Sequence, residues 1–138
     1  DKIGFKYYVL ISGCCPLIRI ETIDSFINKF MQSEDDGLFA VFKKKNMFWD
    51  HNKNPILQDH IETLNTKEMK PFYEAAHCLY AGRADWISLG KHTGTFTKKN
   101  DPPLYVVDEE EVLDIDYQWQ FDIAEHLYNK QKLEPSYV

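Results

Sequence analysis

Three cysteines are too few for a disulfide framework, and two of them, Cys14 and Cys15, are neighbours. There is no Cys-x-x-Cys, and His51, His60, His77, His92 and His126 stand at no zinc-finger spacing from the thiols. A reduced, cytoplasmic compartment is what this cysteine usage implies. No apolar run approaches the length of a membrane-spanning helix. No secretory signal is visible in a chain that opens at Asp1. Positive charge is in deficit, with 16 basic against 22 acidic residues and a formal charge of −6. That balance, without an arginine-rich stripe, excludes nonspecific binding to nucleic acid. An anionic substrate is then held only through a local basic cluster or a metal ion. No Gly-x-Ser-x-Gly elbow, Walker lysine loop, internal repeat or low-complexity tract occurs. A pairing of Cys15 with His77 as a nucleophile has nothing in the sequence to bring it together.

What the chain does have is one acidic stretch that organises the rest. Residues 109–116 read EEEVLDID. Leu113 and Ile115 alternate with Asp114 and Asp116, the period of an extended segment, so the two aspartates point the same way. From Tyr117 the period changes. Tyr117, Phe121, Ala124, Leu127 and Tyr128 recur at helical steps, so an amphipathic helix begins near Asp116. Two carboxylates where a strand turns into a helix are placed to hold a divalent cation through oxygen. Equally, Asp116 is a preferred helix N-cap, and residues 108–111 fit a solvated acidic loop.

The remaining chain reads as α/β. Residues 5–11 (FKYYVLI) form a buried strand of a parallel sheet. Residues 12–19 leave its carboxyl end, where ligands bind in open α/β sheets. This loop is either a binding edge that includes Arg19 or a connector with buried thiols. Residues 21–31 are a helix with Ile20, Ile23, Ile27 and Phe30 on one face. Residues 38–42 are the next strand, ending in Lys43, Lys44 and Lys45, which are either a solvated face or a local cation cluster. Residues 48–57 resemble a hairpin with a polar turn, and residues 58–70 are a long loop. Residues 72–81 are ambiguous between helix and strand. Residues 82–89 hold a short helix with Trp86, residues 95–97 a short strand, and residues 104–107 another.

In order and nearly in spacing, these segments resemble the acylneuraminate-type cytidylyltransferases that activate acidic sugars. Residues 8–24 (YVLISGCCPLIRIETID) are similar to that family's strand, its Pro-Thr-Ser-Pro-Leu-Arg-like loop and its helix opening. Residues 37–49 resemble its following strand, basic stretch and Trp. Gln58, Pro71, Tyr73, Glu74 and Tyr80 are similar to its Gln-Asp-Leu, Pro-x-Tyr-Glu and Tyr run, and residues 112–127 to its closing Asp-Ile-Asp signature.

The resemblance implies a partial Rossmann-like nucleotide-diphospho-sugar transferase fold. Its sheet is mostly parallel, with helices on both faces and a β-rich dimerisation arm. Residues 1–138 would be one N-terminally incomplete domain, with the arm within about 48–100. It implies that CMP passes from CTP to an acidic, sialic-acid-like sugar and pyrophosphate leaves. Mg2+ neutralises phosphate charge. Asp114 and Asp116 match the metal-binding acids, with Arg19 as the third catalytic residue. Cys14 and Cys15 fall in the active-site loop, and Gln58 and Tyr73 on the acceptor side. A homodimer is implied, with neither nucleic acid nor membrane as partner. The family's triphosphate-cradling segment has no counterpart here. Cys14-Cys15 replaces Thr-Ser, Ala76-His77 replaces Asn-Gly, and Tyr117 replaces Thr. A non-catalytic interaction module derived from the same fold is the alternative.

Overall fold

The computed structural model describes residues 4–56 and 65–133. Its centre is β5 (Phe72–Arg83), hydrogen-bonded on both sides. Sheet order is β1-β5-β2-β6, from β1 (Tyr7–Ile11), β2 (Gly37–Lys44) and β6 (Leu104–Val106). β5 runs antiparallel to both β1 and β2, and β2 pairs parallel with β6. β1, β2 and β6 therefore point one way and β5 the other. The sheet is mixed, which corrects the expectation of a mostly parallel one. The cause is that residues 72–83 form a strand inserted between two parallel neighbours. Ala75 and Ala76 favour helix, but tertiary pairing overrides that preference. β5 departs from regular register opposite β2 between Phe39 and Val41, around His77 at φ 52°.

The core lies on one sheet face. Leu38, Ala40, Phe42, Ala76, Cys78, Leu79 and Ala81 pack there against Phe26 and Phe30 of α1 (Ile20–Gln32). The buried face of α1 is centred on Phe26 and Phe30, flanked by Ile23, whereas Ile20 is 71% exposed. The expected apolar stripe is thus rotated, because Ile20 sits at the helix's first turn beyond the sheet. β1 corrects a second expectation: it is an edge strand, and Leu10 and Ile11 are about half exposed.

The hairpin is present as β3 (Phe48–Trp49) and β4 (Pro55–Ile56). Asp50 closes its turn by accepting from the backbone of Asn52 and Asn54, which holds its carboxyl below the usual range. Thr66–Glu68 is a 3-10 turn capped by Asn65. α2 (Ala84–Ile87) carries Trp86 as expected. Residues 95–97 form no strand. Thr95 is bound by the Asp101 carboxylate through both its amide and its hydroxyl, so this stretch is a folded loop. The loop crosses the sheet closely enough that a Cβ on Gly37 would collide with the Thr93 carbonyl. α3 (Gln118–Leu133) closes the described chain, later by two residues than Asp116. No helix among the described residues is long and apolar enough to cross a membrane.

Gly37→Ala is expected to cost about 3 kcal/mol, because rigid backbone rather than a mobile side chain opposes the added methyl. Urea denaturation followed by circular dichroism measures it; an unchanged midpoint would show that the 92–94 crossing is loose.

Candidate functional site

Two segments distant in sequence meet beyond the carboxyl end of β1. The loop after β1 begins where the Ser12 amide donates to Cys78 O at 2.8 Å, extending the β1–β5 ladder. It then turns through Gly13 and Cys14, and the Ile18 amide closes back on Cys15 O at 3.4 Å. The acidic stretch arrives through one backbone bond: the Ile115 amide donates to Cys14 O at 3.0 Å. This places Asp114 and Asp116 on either side of the residue pinned to the loop.

The second tie is Glu111, which is 3% exposed. Its carboxylate accepts from the Arg19 amide at 2.9 Å, from the Thr22 hydroxyl at 3.0 Å and from the Arg19 guanidinium. Arg19 is the N-cap of α1 and its own side chain makes no capping bond. Glu111 supplies the oxygen instead, from the far end of the chain, where the helix dipole also favours a negative charge. Arg19 bonds Asp108 as well, at 2.6 Å, and the Glu111 bond followed by the Asp108 bond raises its pKa. Residues 109–111 are therefore a 3-10 turn (Glu109–Glu111) with one member buried, in place of a wholly solvated acidic loop.

Arg19 faces a small hollow of about 390 Å³ shared with Glu21, Thr22 and Tyr105. The loop's other end opens on a larger groove of about 750 Å³, lined by Gly13, Cys14, Pro16, Ile115, Phe121, Tyr128, Glu125 and Asn129. The aspartate stretch thus meets the beginning of the loop rather than its end at Arg19. Among the described residues no lysine or arginine lines the groove. Lys44 is paired with Glu109, and Lys45 donates to the Lys67 carbonyl, so these two lysines are engaged locally.

Asp114 is half-buried and Asp116 exposed. Neither carboxylate accepts a hydrogen bond or joins an ion pair among the described residues. The helix-cap reading of Asp116 is not what is seen. Gln120 reaches back instead, its Oε1 accepting from the Asp116 and Tyr117 amides at 2.7 Å each. Carboxylates are hard oxygen donors of the kind Mg2+ takes, one or two at a time, completing its shell with phosphate and water. A self-sufficient metal cage is absent among the described residues.

The two adjacent thiols part company. Cys14 is exposed on the groove, whereas Cys15 is 1% exposed and belongs to the core. Burial, and then the Asp114 charge, push the Cys15 thiol up to about 11; burial and the neighbouring Cys15 push Cys78 up to about 12. Tyr80, raised first by burial, also senses Asp114, and its hydroxyl lies 3.1 Å from His77 Nδ1. Tyr73 is half exposed on β5 opposite Lys43 of β2, whereas Cys78 lies within the irregular stretch between Ala75 and Tyr80. Gln58 lies outside the described residues. Sequence reasoning placed Asp108 and Glu111 in a solvated acidic loop with no partner named and did not single out Thr22. The one available signal was a run of three acids facing a lone arginine across the chain.

No sequence-family profile and no curated protein matches the chain. Among solved structures, 4-diphosphocytidyl-2C-methyl-D-erythritol synthase from Anaerococcus prevotii superposes with a TM-score of 0.55 at 14% identity. The match covers 90% of this chain and 59% of that one. The shared property is the fold: an α/β nucleotidyltransferase-like architecture with a mixed sheet and flanking helices.

Glu111→Gln keeps the shape but removes the charge facing Arg19 and the α1 N-terminus, and is expected to cost about 2 kcal/mol by chemical denaturation; a loss below a few tenths would make the tie incidental. Thiol titration with a chromogenic disulfide at pH 8 is expected to modify Cys14 rapidly and Cys15 and Cys78 only on unfolding. Because the folded thiols hold protons that unfolded thiols lose near pH 9, stability is expected to fall as pH rises from about 9 towards 11–12. Equal reactivity of all three would show the core thiols to be open.

Proposed function

We propose that the chain carries the metal and acceptor side of a nucleotidyl-transfer site, in which CMP passes from CTP to a hydroxyl of an acidic, sialic-acid-like sugar and pyrophosphate leaves. The Ile115–Cys14 backbone bond carries this reading, because it sets Asp114 and Asp116 beside the loop leaving a strand's carboxyl end. The ordered resemblance of residues 8–127 to sugar-acid cytidylyltransferases and the nucleotidyltransferase-like fold support the same chemistry. Asp114 and Asp116 offer Mg2+ its protein oxygens; Mg2+ when bound supplies charge neutralisation at the phosphates. Cys14 lines the acceptor groove, and the amide of Asn129 and the carboxylate of Glu125 suit sugar hydroxyls. Phe121 and Tyr128 give the groove an apolar wall against a sugar's CH face. Arg19 orients the loop through Glu111 and keeps exposed surface towards α1's first turn.

A second reading is favoured by one specific observation. Arg19 and Lys44 are already neutralised by acids. A chain that keeps this fold with the cations nearest the loop, Arg19 and Lys44, already paired among the described residues fits a non-catalytic interaction module.

Mn2+ as a paramagnetic stand-in separates the two. It is expected to broaden the amide resonances of Cys14 and Ile115, with CTP tightening Mn2+ binding about tenfold, and Asp114→Asn or Asp116→Asn abolishing the effect. Broadening confined to residues 109–111, or none, would overturn the catalytic reading and leave the interaction module.

A further inference from the structure

β5 carries a wide bulge in its middle. Its register with β2 passes from Phe39–Tyr80 to Val41–Ala75, so residues 76–79 stand against Ala40 alone. Three of these four belong to the core: Ala76, Cys78 and Leu79 are 0% to 2% exposed. His77 is the one turned to solvent. Its φ of 52° lies in the left-handed region, which is strained for a residue with a Cβ. The distortion thus presents a single imidazole, and bulges of this kind re-aim side chains beside sites.

That imidazole is held, and it is close to the loop after β1. Its Nδ1 lies 3.1 Å from the Tyr80 hydroxyl. The Ser12 amide donates to Cys78 O at 2.8 Å. His77 is the neighbour of that bond on one strand, and Gly13, which lines the groove, is its neighbour on the other. Tyr80 is raised first by burial, then by Cys78, Cys15 and the charge of Asp114. His77, Tyr80, Gly13 and Asp114 are therefore gathered around the carboxyl end of β1.

Resting on the nucleotidyl-transfer reading above, we propose that His77 is the group that takes the acceptor's proton. Donation from Nδ1 to the Tyr80 oxygen leaves the Nε2 lone pair free to accept the hydrogen bond of the attacking hydroxyl. As that oxygen bonds to the α-phosphorus of CTP, the bond to pyrophosphate breaks. Pyrophosphate leaves with the electron pair, and the hydroxyl proton passes to Nε2. Other ionisable groups by the loop are engaged. Glu111 is occupied by Arg19 and Thr22, burial keeps the Cys15 thiol protonated, and Asp114 and Asp116 serve the metal in that reading. Glu125, on the groove wall, is the competing base.

Nitrogen NMR of the His77 ring at about pH 8, where imidazole is ordinarily neutral, tests the proposal on the whole chain. Nδ1 is expected to carry the proton; a proton on Nε2 instead would leave no base and overturn it. With Mg2+ and CTP present, N-acetylneuraminate as the probe should shift Nε2. The same sugar acid lacking the attacking hydroxyl should not. His77→Gly suits the positive φ and is expected to keep its circular dichroism. By calorimetry it should bind the probe about fivefold more weakly, for one lost hydrogen bond, and bind the analogue without the hydroxyl as the wild type does. If His77→Gly unfolds, the ring signals alone decide. A ring that the probe does not move, a response at the Glu125 carboxyl in its place, or equal weakening of both ligands overturns the proposal. Mn2+ separates this failure from that of the site itself. Broadening at Cys14 and Ile115 with a sharp His77 ring removes His77 alone, whereas no broadening at Cys14 and Ile115 removes both.

Discussion

A carboxylate removed from water must be compensated, and in this chain Glu111 is the group around which that requirement is met. Its oxygens replace water with the Arg19 amide, the Thr22 hydroxyl and the Arg19 guanidinium. None of these partners is its sequence neighbour. The start of α1, the loop after β1 and the acidic stretch are thus held by one another. The charge cannot be exposed without releasing all three. The position of the groove follows from this tie, since Cys14 and Ile115 line it only while the two segments are held together.

The same economy of charge shapes the chemistry open to the site. Arg19 balances Asp108 and Glu111, and Lys44 balances Glu109, so the surrounding charges are largely used in building the fold. Asp114 and Asp116, whose carboxylates have no partner among the described residues, add negative charge beside the groove. On the proposed reading a divalent cation would be held there and a phosphate only through it. The groove beside it is apolar with two polar groups, which is a surface for recognising shape and hydroxyls more than charge.

Local pattern carried much of the architecture. The aromatic and branched run at 7–11, the helical recurrence of Ile23 and Phe30, the polar turn at Asp50 and the Pro102-Pro103 break before β6 all show in the structure as elements or boundaries. What local pattern did not carry was partnership. Residues 72–83 look ambiguous because Ala75, Ala76 and His77 disfavour a strand, and only the two neighbours bonded to them make it one. Their direction, and with it the mixed sheet, is a property of pairings between segments tens of residues apart. For the site, proximity of residues 12–16 to 114–116 was legible from strand-end logic. The diversion of Arg19 was not, because Glu111 is indistinguishable by type from Glu109 and Glu110. Burial, which selects one of the three, is a tertiary fact.

The middle strand of the sheet also bears on how the chain is made. β1 and β2 emerge from a ribosome well before β5, which must sit between them. Until then they have no native ladder to share, and must be kept from joining each other directly as parallel neighbours. The long excursion between β2 and β5, with its own closed hairpin at Phe48–Ile56, delays that arrival further. Translation speed through this interval, and holdase chaperones acting on the waiting strands, are therefore natural points of control over yield of the finished protein.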